Sequence, residues 1–510
     1  MSEEAEWLID VADETQTAEL AARLAPLIRD TVPLVTLSGD LGAGKTAFAR
    51  ALIRALAQDP TLEAPSPTFT LMQGYETPGC RILHADLYRI AGGEAELEAM
   101  GFEEASEDAL VLVEWPERAP SLFTGDRLDV RLAFAAPETP DARRIGIVAH
   151  GKAAGRLRAF RSMREFLERA GWSDAAREYL QGDASSRVYE VLRRPDGAQA
   201  ILMISPARPD GPPIRYGKPY SAIARLAETV KPFVAMAGAL RAQGLSAPQV
   251  YAYDLAAGFV LLEDLGREGV VAAGAPIADR YLEALSALAP LHARRLPDVL
   301  PVEGASPYHM PPYDLDALLI EVELLLEWYA VRVGGGGISS GAKATFVNLW
   351  RQALIEIVMS APTWTLRDFH SPNLLWLADR EGTARVGVID FQDAVLGHPA
   401  YDVVSLTQDA RVDVPDELEL RLLGHYARKR READPLFDMA AFARAYALLG
   451  AQRATKILGI FARLDQRDRK PQYLVHLPRV ETYLRKGLRH PALADLEAWY
   501  VANLPALFHA

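Results

Sequence analysis

Two groups of residues in this chain have the types and spacing to handle polyphosphate. The first is Gly39-Asp40-Leu41-Gly42-Ala43-Gly44-Lys45-Thr46. Glycines at that spacing let backbone N–H groups face anionic oxygens, and a helix opening at the loop's end adds partial positive charge. A lysine placed like Lys45 reaches the β and γ phosphates, and a hydroxyl placed like Thr46 can ligate Mg2+. Two acids follow, Asp86 at the end of RILHAD and Glu114 at the end of ALVLVE. A carboxylate at a strand tip beside such a loop holds a metal ion or activates water, although the same residue can equally cap a helix or face solvent. Between loop and acids lies Ser66-Pro67-Thr68-Phe69-Thr70, which is either a segment whose hydroxyls close over the terminal phosphate or a plain Pro-rich turn. The second group is Asp368 and Asn373 in LRDFHSPN, with Asp390 in RVGVIDFQD. An aspartate at Asp368 can accept the proton of an attacking hydroxyl, while Asn373 and Asp390 hold Mg2+ against the ATP phosphates.

These groups need particular elements to position them. VPLVTLS is apolar and rich in β-branched residues, as a buried parallel strand is, and AFARALIRALAQ after the loop has helical spacing. Strand, phosphate loop and helix in that order imply an α/β sheet domain of P-loop NTPase type. Farther on, REYLQGDASSRVYEVLRRPDGAQAILMISP reads as strands joined by a turn at Pro195-Asp196-Gly197, with Ser185 and Ser186 ahead of them in a position to meet phosphate. PQVYAYDLAAGFVLLEDLG adds more strands, and from YLEALSALAPLHARRL onward the chain is largely helical. A small β-rich lobe followed by a larger helical one is an α+β arrangement with a cleft between its parts. The 16 residues between Asn373 and Asp390 are expected to form a hairpin that brings the two side chains together.

Length and charge agree with two units. The chain has 510 residues, which exceeds one hydrophobic core. Residues 1–150 hold 12 Lys and Arg against 26 Asp and Glu, whereas 151–510 hold 43 against 42. An acidic first unit is poorly suited to gripping a nucleic-acid backbone by itself. Between the two runs a basic segment, 151–170, with Lys152, Arg156, Arg158, Arg161 and Arg164, is read as a helical linker. A single cysteine, Cys80, excludes an intrachain disulfide and a Cys-rich zinc site. The acidic beginning lacks a signal-peptide pattern, and Glu321, Glu323 and Glu327 interrupt the most apolar stretch, so a cytoplasmic protein with no membrane association is expected.

GDLGAGKT, SPTFTL, HADLYR and EWPE, in that order within residues 1–150, resemble the TsaE family of P-loop ATPases. The resemblance implies ATP and Mg2+ as cofactors and a role as ATPase subunit in tRNA adenosine threonylcarbamoylation. TsaB/TsaD-like partner subunits would handle the tRNA, which this unit meets only indirectly. It further implies phosphate and Mg2+ binding by Lys45 and Thr46, a metal-side carboxylate at Glu114, catalysis by Asp86, and nucleotide contacts from Thr68 and Trp115.

Residues from about 160 resemble the aminoglycoside-phosphotransferase-like kinases through LLEDLG, LAPLHA, LRDFHSPN, VIDFQDA and GHPAYDVVSL. GDASSR, ILMISP and LRAQGLSAPQVYAYDLAAGFVLLEDLG are most similar to the AmgK type, anomeric kinases of N-acetylmuramate and N-acetylglucosamine. The resemblance implies a protein-kinase-like fold over 171–510, with a small lobe to about 266 and a helical lobe from 267. It also implies Asp368 as base, Asn373 and Asp390 as metal ligands, and 261–265, centred on Glu263, as the adenine-facing hinge. Two positions depart from the wider kinase pattern: Met203 stands where the phosphate-binding Lys is usual, and Leu366 replaces His at the start of the catalytic loop. Arg187, Arg215 and Lys218 are the candidate substitute cations. Kinases of other hydroxyls (an aminoglycoside, choline, homoserine) and a non-catalytic regulator of the attached ATPase are the alternatives. Glu323 and Glu327, one helical turn apart, are either sugar contacts or a solvated face.

Overall fold

The structure is a computed structural model that describes residues 4–29, 32–77, 80–136, 138–180, 187–207, 211–334 and 337–508. It divides into two compact units, Met1–Arg169 and Ala170–Ala510. No helix among the described residues is long and apolar enough to cross a membrane.

The first unit is one seven-stranded mixed sheet. In chain order it runs β1 (Glu4–Val11), α1 (Glu14–Arg29), β2 (Leu34–Ser38), α2 (Lys45–Ala57), β3 (Met72–Thr77), β4 (Cys80–Asp86), α3 (Glu94–Ala99), α4 (Phe102–Ser106), β5 (Ala109–Glu114), β6 (Arg127–Ala136), β7 (Thr139–His150) and α5 (Lys152–Arg169). The strand order is β1-β7-β6-β2-β5-β4-β3, with β6, β2, β5 and β4 mutually parallel. The central strands are apolar on both faces because both faces are covered. Leu110 and Leu112 of β5 pack with Phe48, Leu52 and Ile53 of α2. Val111 and Val113, pointing the other way, pack with Leu97 and Phe102.

The basic segment 151–170 behaves differently from a free linker. Ala153, Ala154 and Leu157 of α5 are buried in the first unit's core. Arg158 and Arg161 donate to the carbonyl oxygens of Glu4 and Glu6 on β1, at 3.2 and 3.0 Å. Since β1 is the edge of the sheet, these arginines satisfy backbone acceptors that no further strand meets.

The second unit begins with a five-stranded antiparallel sheet. Its strands are β8 (Ala176–Leu180), β9 (Val188–Arg193), β10 (Gln199–Ile204), β11 (Val250–Asp254) and β12 (Phe259–Glu263), in the order β11-β12-β10-β9-β8. The turn at Pro195-Asp196-Gly197 joins β9 to β10, and Asp196 Oδ1 accepts from the Ala198 N–H at 2.9 Å. The helix Lys231–Ala242 packs with this lobe, and helices from Ala278 onward form the larger lobe, including the 28-residue helix Met439–Gln466. The hairpin expected after Asn373 is present: Leu374–Trp376 pairs antiparallel with Val386–Val388, and the Ile389 N–H donates to the Asn373 carbonyl oxygen at 3.0 Å.

Gly39 is the tightest point of the phosphate loop, with φ +134°. A Cβ there would lie 2.0 Å from the carbonyl oxygen of Leu132 on β6. Gly39→Ala should therefore destabilise the first unit by at least about 2 kcal/mol, from strained backbone and a clash that cannot relax. Chemical denaturation against the unsubstituted protein measures it; an unchanged midpoint would refute this account of the loop.

Candidate functional site

In the first unit, parallel register sets the site. Asp86 is the register partner of Glu114, and Glu114 is the partner of Leu37, just before the phosphate loop. The loop and both acids thus lie at the carboxyl ends of adjacent strands, where open α/β sheets bind ligands. Gly44 caps α2 in the left-handed conformation, so Lys45 and Thr46 form its first turn. Lys45 Nζ donates to the carbonyl oxygens of Gly39 and Asp40 at 2.7 and 2.9 Å and lies 3.7 Å from the Trp115 ring centre. Burial pulls this ammonium below its ordinary range, opposed by the charges of Glu114, Glu117, Asp86 and Asp40. Thr46 Oγ1 donates to Glu114 Oε2 at 3.0 Å, and Glu114 Oε1 lies 3.1 Å from His84 Nε2.

Asp86 gathers the Ser66–Thr70 segment. Its Oδ2 accepts from Ser66 Oγ and Thr68 Oγ1, both at 2.7 Å, and its Oδ1 from the Tyr88 N–H at 3.0 Å. Ala43 is fully buried, whereas Leu41 at the loop tip and Phe69 are exposed. Arg143, which sequence reasoning missed, donates from Nε to the Ala43 carbonyl oxygen at 2.9 Å and braces the loop from β7. It is distant in sequence and belongs to no motif.

In the second unit, three side chains meet where expected. Asn373 Nδ2 donates to the Asp368 carbonyl oxygen at 2.9 Å and lies 3.5 Å from Asp390 Oδ2. Asp390 Oδ1 accepts from Gln392 Nε2 at 3.0 Å and from Arg187 Nη1 at 3.2 Å. Asp368, Asn373, Asp390 and Arg187 line one cavity of about 590 Å³ whose walls include Ile201, Leu262, Leu265, Leu375 and Ile389. That combination suits a nucleotide: an apolar slot for a base and a polar end for phosphates. Residues 262–267 form one edge. The Glu263 carboxylate is occupied by Arg380 at 2.6 Å, Arg241 at 3.3 Å and the Gln249 N–H at 3.0 Å, so at this position the side chain braces the hinge. Ser185 and Ser186 lie outside the described residues.

The loop around Asp368 is held from behind. Buried Asp402 accepts from the N–H groups of Leu366 and Arg367 at 2.8 and 2.9 Å. Asp409 accepts from Ser371 N–H and Oγ at 2.8 and 2.6 Å. Arg367, at φ +65°, is paired with buried Glu321. Burial works to raise the Asp368 carboxyl, but the electrostatic pull of its surroundings, with Lys456, Arg367 and Arg453 as the standing cations, outweighs it and holds the group below the ordinary carboxylate range. Asp390 is pushed up to about 6, first by burial and then by the Asp368 charge. His370 is pushed down to about 4 by burial, so it is neutral near pH 7.

The three candidate substitute cations occupy different places in the fold. Met203 is buried on the same face of β10 as Ile201, within the core. Arg215 pairs with Glu323 at 2.6 Å beside a separate cavity, which Glu327 also lines. Lys218 is bridged to Arg215 through the backbone. Of the three candidates, Arg187 alone lines the nucleotide cavity.

Both sites suit Mg2+ by donor chemistry. Each offers one carboxylate with one neutral oxygen donor, Glu114 with Thr46 and Asp390 with Asn373, a hard set that leaves other positions to phosphate and water.

Comparisons with known proteins agree with this division. Residues 11–145 match the family model "Threonylcarbamoyl adenosine biosynthesis protein TsaE", and residues 177–436 match "Phosphotransferase enzyme family". An N-acetylmuramate/N-acetylglucosamine kinase of Caulobacter vibrioides is 41% identical over 353 residues, 67% of this chain and 95% of the relative. A protein of the same name from Pseudomonas aeruginosa is 33% identical over 350 residues, 67% of this chain and 93% of the relative. The tRNA threonylcarbamoyladenosine biosynthesis protein TsaE of Rickettsia felis is 42% identical over 120 residues, 24% of this chain and 68% of the relative. The chain belongs to the TsaE family through its first unit and to the phosphotransferase enzyme family through its second.

Two outcomes follow for the second unit. Because Asp390 must lose its proton to meet a cation, Mg2+-dependent nucleotide affinity should fall below about pH 6, by up to about tenfold per pH unit. Titration of a fluorescent ATP analogue on either side of that pH tests this; a flat profile would refute it. Arg187→Met should raise the KM for ATP by about 10- to 100-fold, the worth of a charge-assisted hydrogen bond to phosphate, in steady-state kinetics. An unchanged KM would exclude Arg187 as the substitute cation.

Proposed function

We propose that this is a bifunctional enzyme. The second unit transfers the γ-phosphoryl group of ATP to the C1 hydroxyl of N-acetylmuramate or N-acetylglucosamine, a reaction of cell-wall sugar recycling. The first unit hydrolyses ATP in support of tRNA adenosine threonylcarbamoylation, acting with TsaB/TsaD-like subunits. The observation that carries the kinase reading is the meeting of Asp368, Asn373 and Asp390 at the polar end of one cavity, in a chain that spans 95% of a relative named for this activity.

The chemistry is an in-line displacement. The sugar hydroxyl oxygen forms a bond to the γ-phosphorus as the bond from that phosphorus to the ADP oxygen breaks, and the hydroxyl proton passes to Asp368. A carboxylate held below its ordinary range is a weak base, so Asp368 acts chiefly by orienting the hydroxyl, which suits a loose transition state. Mg2+, held through Asn373 and Asp390, would neutralise charge on the phosphates. Arg187 supplies the protein's own cation beside Asp390 and answers the absent lysine at Met203. In the first unit, Lys45 and the loop N–H groups bind phosphate, Thr46 and Glu114 hold the cation, and Asp86 with Ser66 and Thr68 closes over the terminal phosphate. Thr68, Trp115 and the loop residues Gly39 to Gly44 complete the nucleotide contacts.

Phosphorus NMR on protein given Mg-ATP and each sugar tests the kinase. A sugar 1-phosphate signal is expected, reduced about 10²- to 10⁴-fold in Asp368→Asn and retained in Lys45→Ala. ATP hydrolysis with the partner subunits present should show the reverse pattern. Absence of product from both sugars would overturn the kinase reading.

A further inference from the structure

A smaller recess opens beside the nucleotide cavity. Asp368, His370 and Arg411 line both, so the two meet where phosphoryl transfer would occur. Of these two cavities, Asp390 lines only the nucleotide one, whereas Tyr401, Arg453 and Lys456 line only the recess. Arg453, Lys456 and Ile460 share one face of the helix Met439–Gln466, at the three- and four-residue spacing that stacks side chains.

The charged side chains of this recess are unequally partnered. Lys456 Nζ pairs with Glu321 at 2.8 Å, and that carboxylate also holds Arg367. Asp409 is committed to Ser371 and to the Arg411 N–H. Arg453 is 6% exposed. Its side chain makes one long bond, 3.4 Å, to the Gln408 carbonyl oxygen, and no carboxylate among the described residues lies within ion-pair distance of it. The Asp368 charge acts on Arg453 across the recess without touching it, and a buried guanidinium with no carboxylate in contact is costly, so an anionic ligand group can supply the missing partner. His370 Nδ1, buried in the same place, also has no hydrogen-bond partner among the described residues. A nucleotide phosphate is the poorer source of the anion, because Arg453 does not line the cavity that holds Asp390.

We propose that Arg453 reads a carboxylate on the acceptor, so that the recess is built for a sugar acid whose reacting hydroxyl lies at Asp368. This rests on the kinase reading above and deepens it. N-acetylmuramate carries a carboxylate on its ether substituent and N-acetylglucosamine does not, so Arg453 sets the preference between them. His370 offers its free ring nitrogen to a hydroxyl or amide common to both sugars.

The test compares kcat/KM for the two sugars in the full chain, with Arg453→Gln and Arg453→Lys. Arg453→Gln should lower the N-acetylmuramate value by about 10- to 100-fold more than the N-acetylglucosamine value, mostly through KM, any loss common to both sugars reporting its charge on Asp368. Arg453→Lys should restore part of the loss. Equal losses on both sugars, or an unchanged ratio, would overturn the proposal, and thermal unfolding of both variants identifies misfolding as the cause of an equal loss. Calorimetric titration of each sugar in the absence of nucleotide separates this proposal from the kinase reading. Preferential binding of N-acetylmuramate that disappears in Arg453→Gln, without turnover, would sink the kinase reading alone; binding of neither sugar, or no preference, would sink the carboxylate assignment.

Discussion

The second unit depends on a buried carboxylate, Glu321, which no motif marks. It accepts from Arg367, Lys456 at 2.8 Å, the Tyr313 hydroxyl at 2.5 Å and Gln452 Nε2 at 3.1 Å. Arg367 in turn donates to the Ala224 carbonyl oxygen at 3.0 Å, so the two ion pairs of Glu321 tie the loop around Asp368 to the helix Met439–Gln466 and to the segment between β10 and β11. Removing one partner of such a pair typically costs about 3–5 kcal/mol because it strands the other charge. The network's worth lies in geometry: it fixes the backbone at Arg367, and with it the direction of Asp368. Asp402 and Ser405 finish the task by binding the peptide groups on either side.

The first unit reaches the same end by simpler means. Parallel register sets Asp86, Glu114 and the phosphate loop at one level, and each functional side chain then has a local partner. Lys45 rests on carbonyl oxygens of its own loop and on the Trp115 ring, and these neutral contacts can be exchanged for phosphate at little cost. Glu114 is steadied by His84 from the neighbouring strand. The two units therefore present contrasting designs for one ligand class: backbone amides and a helix terminus in one, and side chains on a braced loop in the other.

In the second unit the acids are arranged in unequal environments. Asp368 is surrounded by cations and stays ionised, whereas Asp390 is desolvated and faces Asp368. In the proposed kinase reaction, two carboxylates pushed apart in this way would take different roles, one orienting a hydroxyl and the other awaiting a cation.

Local chemistry was readable along the chain. The strand–loop–helix order around Lys45, the strand tips at Asp86 and Glu114, and the spacing of Asp368, Asn373 and Asp390 depend on near neighbours and periodicity. What depended on distant segments was not readable. Arg143 reaches the Ala43 carbonyl oxygen across 100 residues, and Lys456 reaches Glu321 across 135, with nothing in their surroundings to distinguish them from other basic residues. The segment 151–170 looked like a linker because its charge dominates its composition, yet three small or apolar residues and two arginines dock it on a sheet edge. Arg187, Arg215 and Lys218 were equivalent as sequence; only folding gave one of them to Asp390. Sequence by itself thus determined which chemistry is present, since residue type and short spacing encode it. Tertiary structure alone decided which charges are left without partners, because neutralisation is a property of neighbours in space.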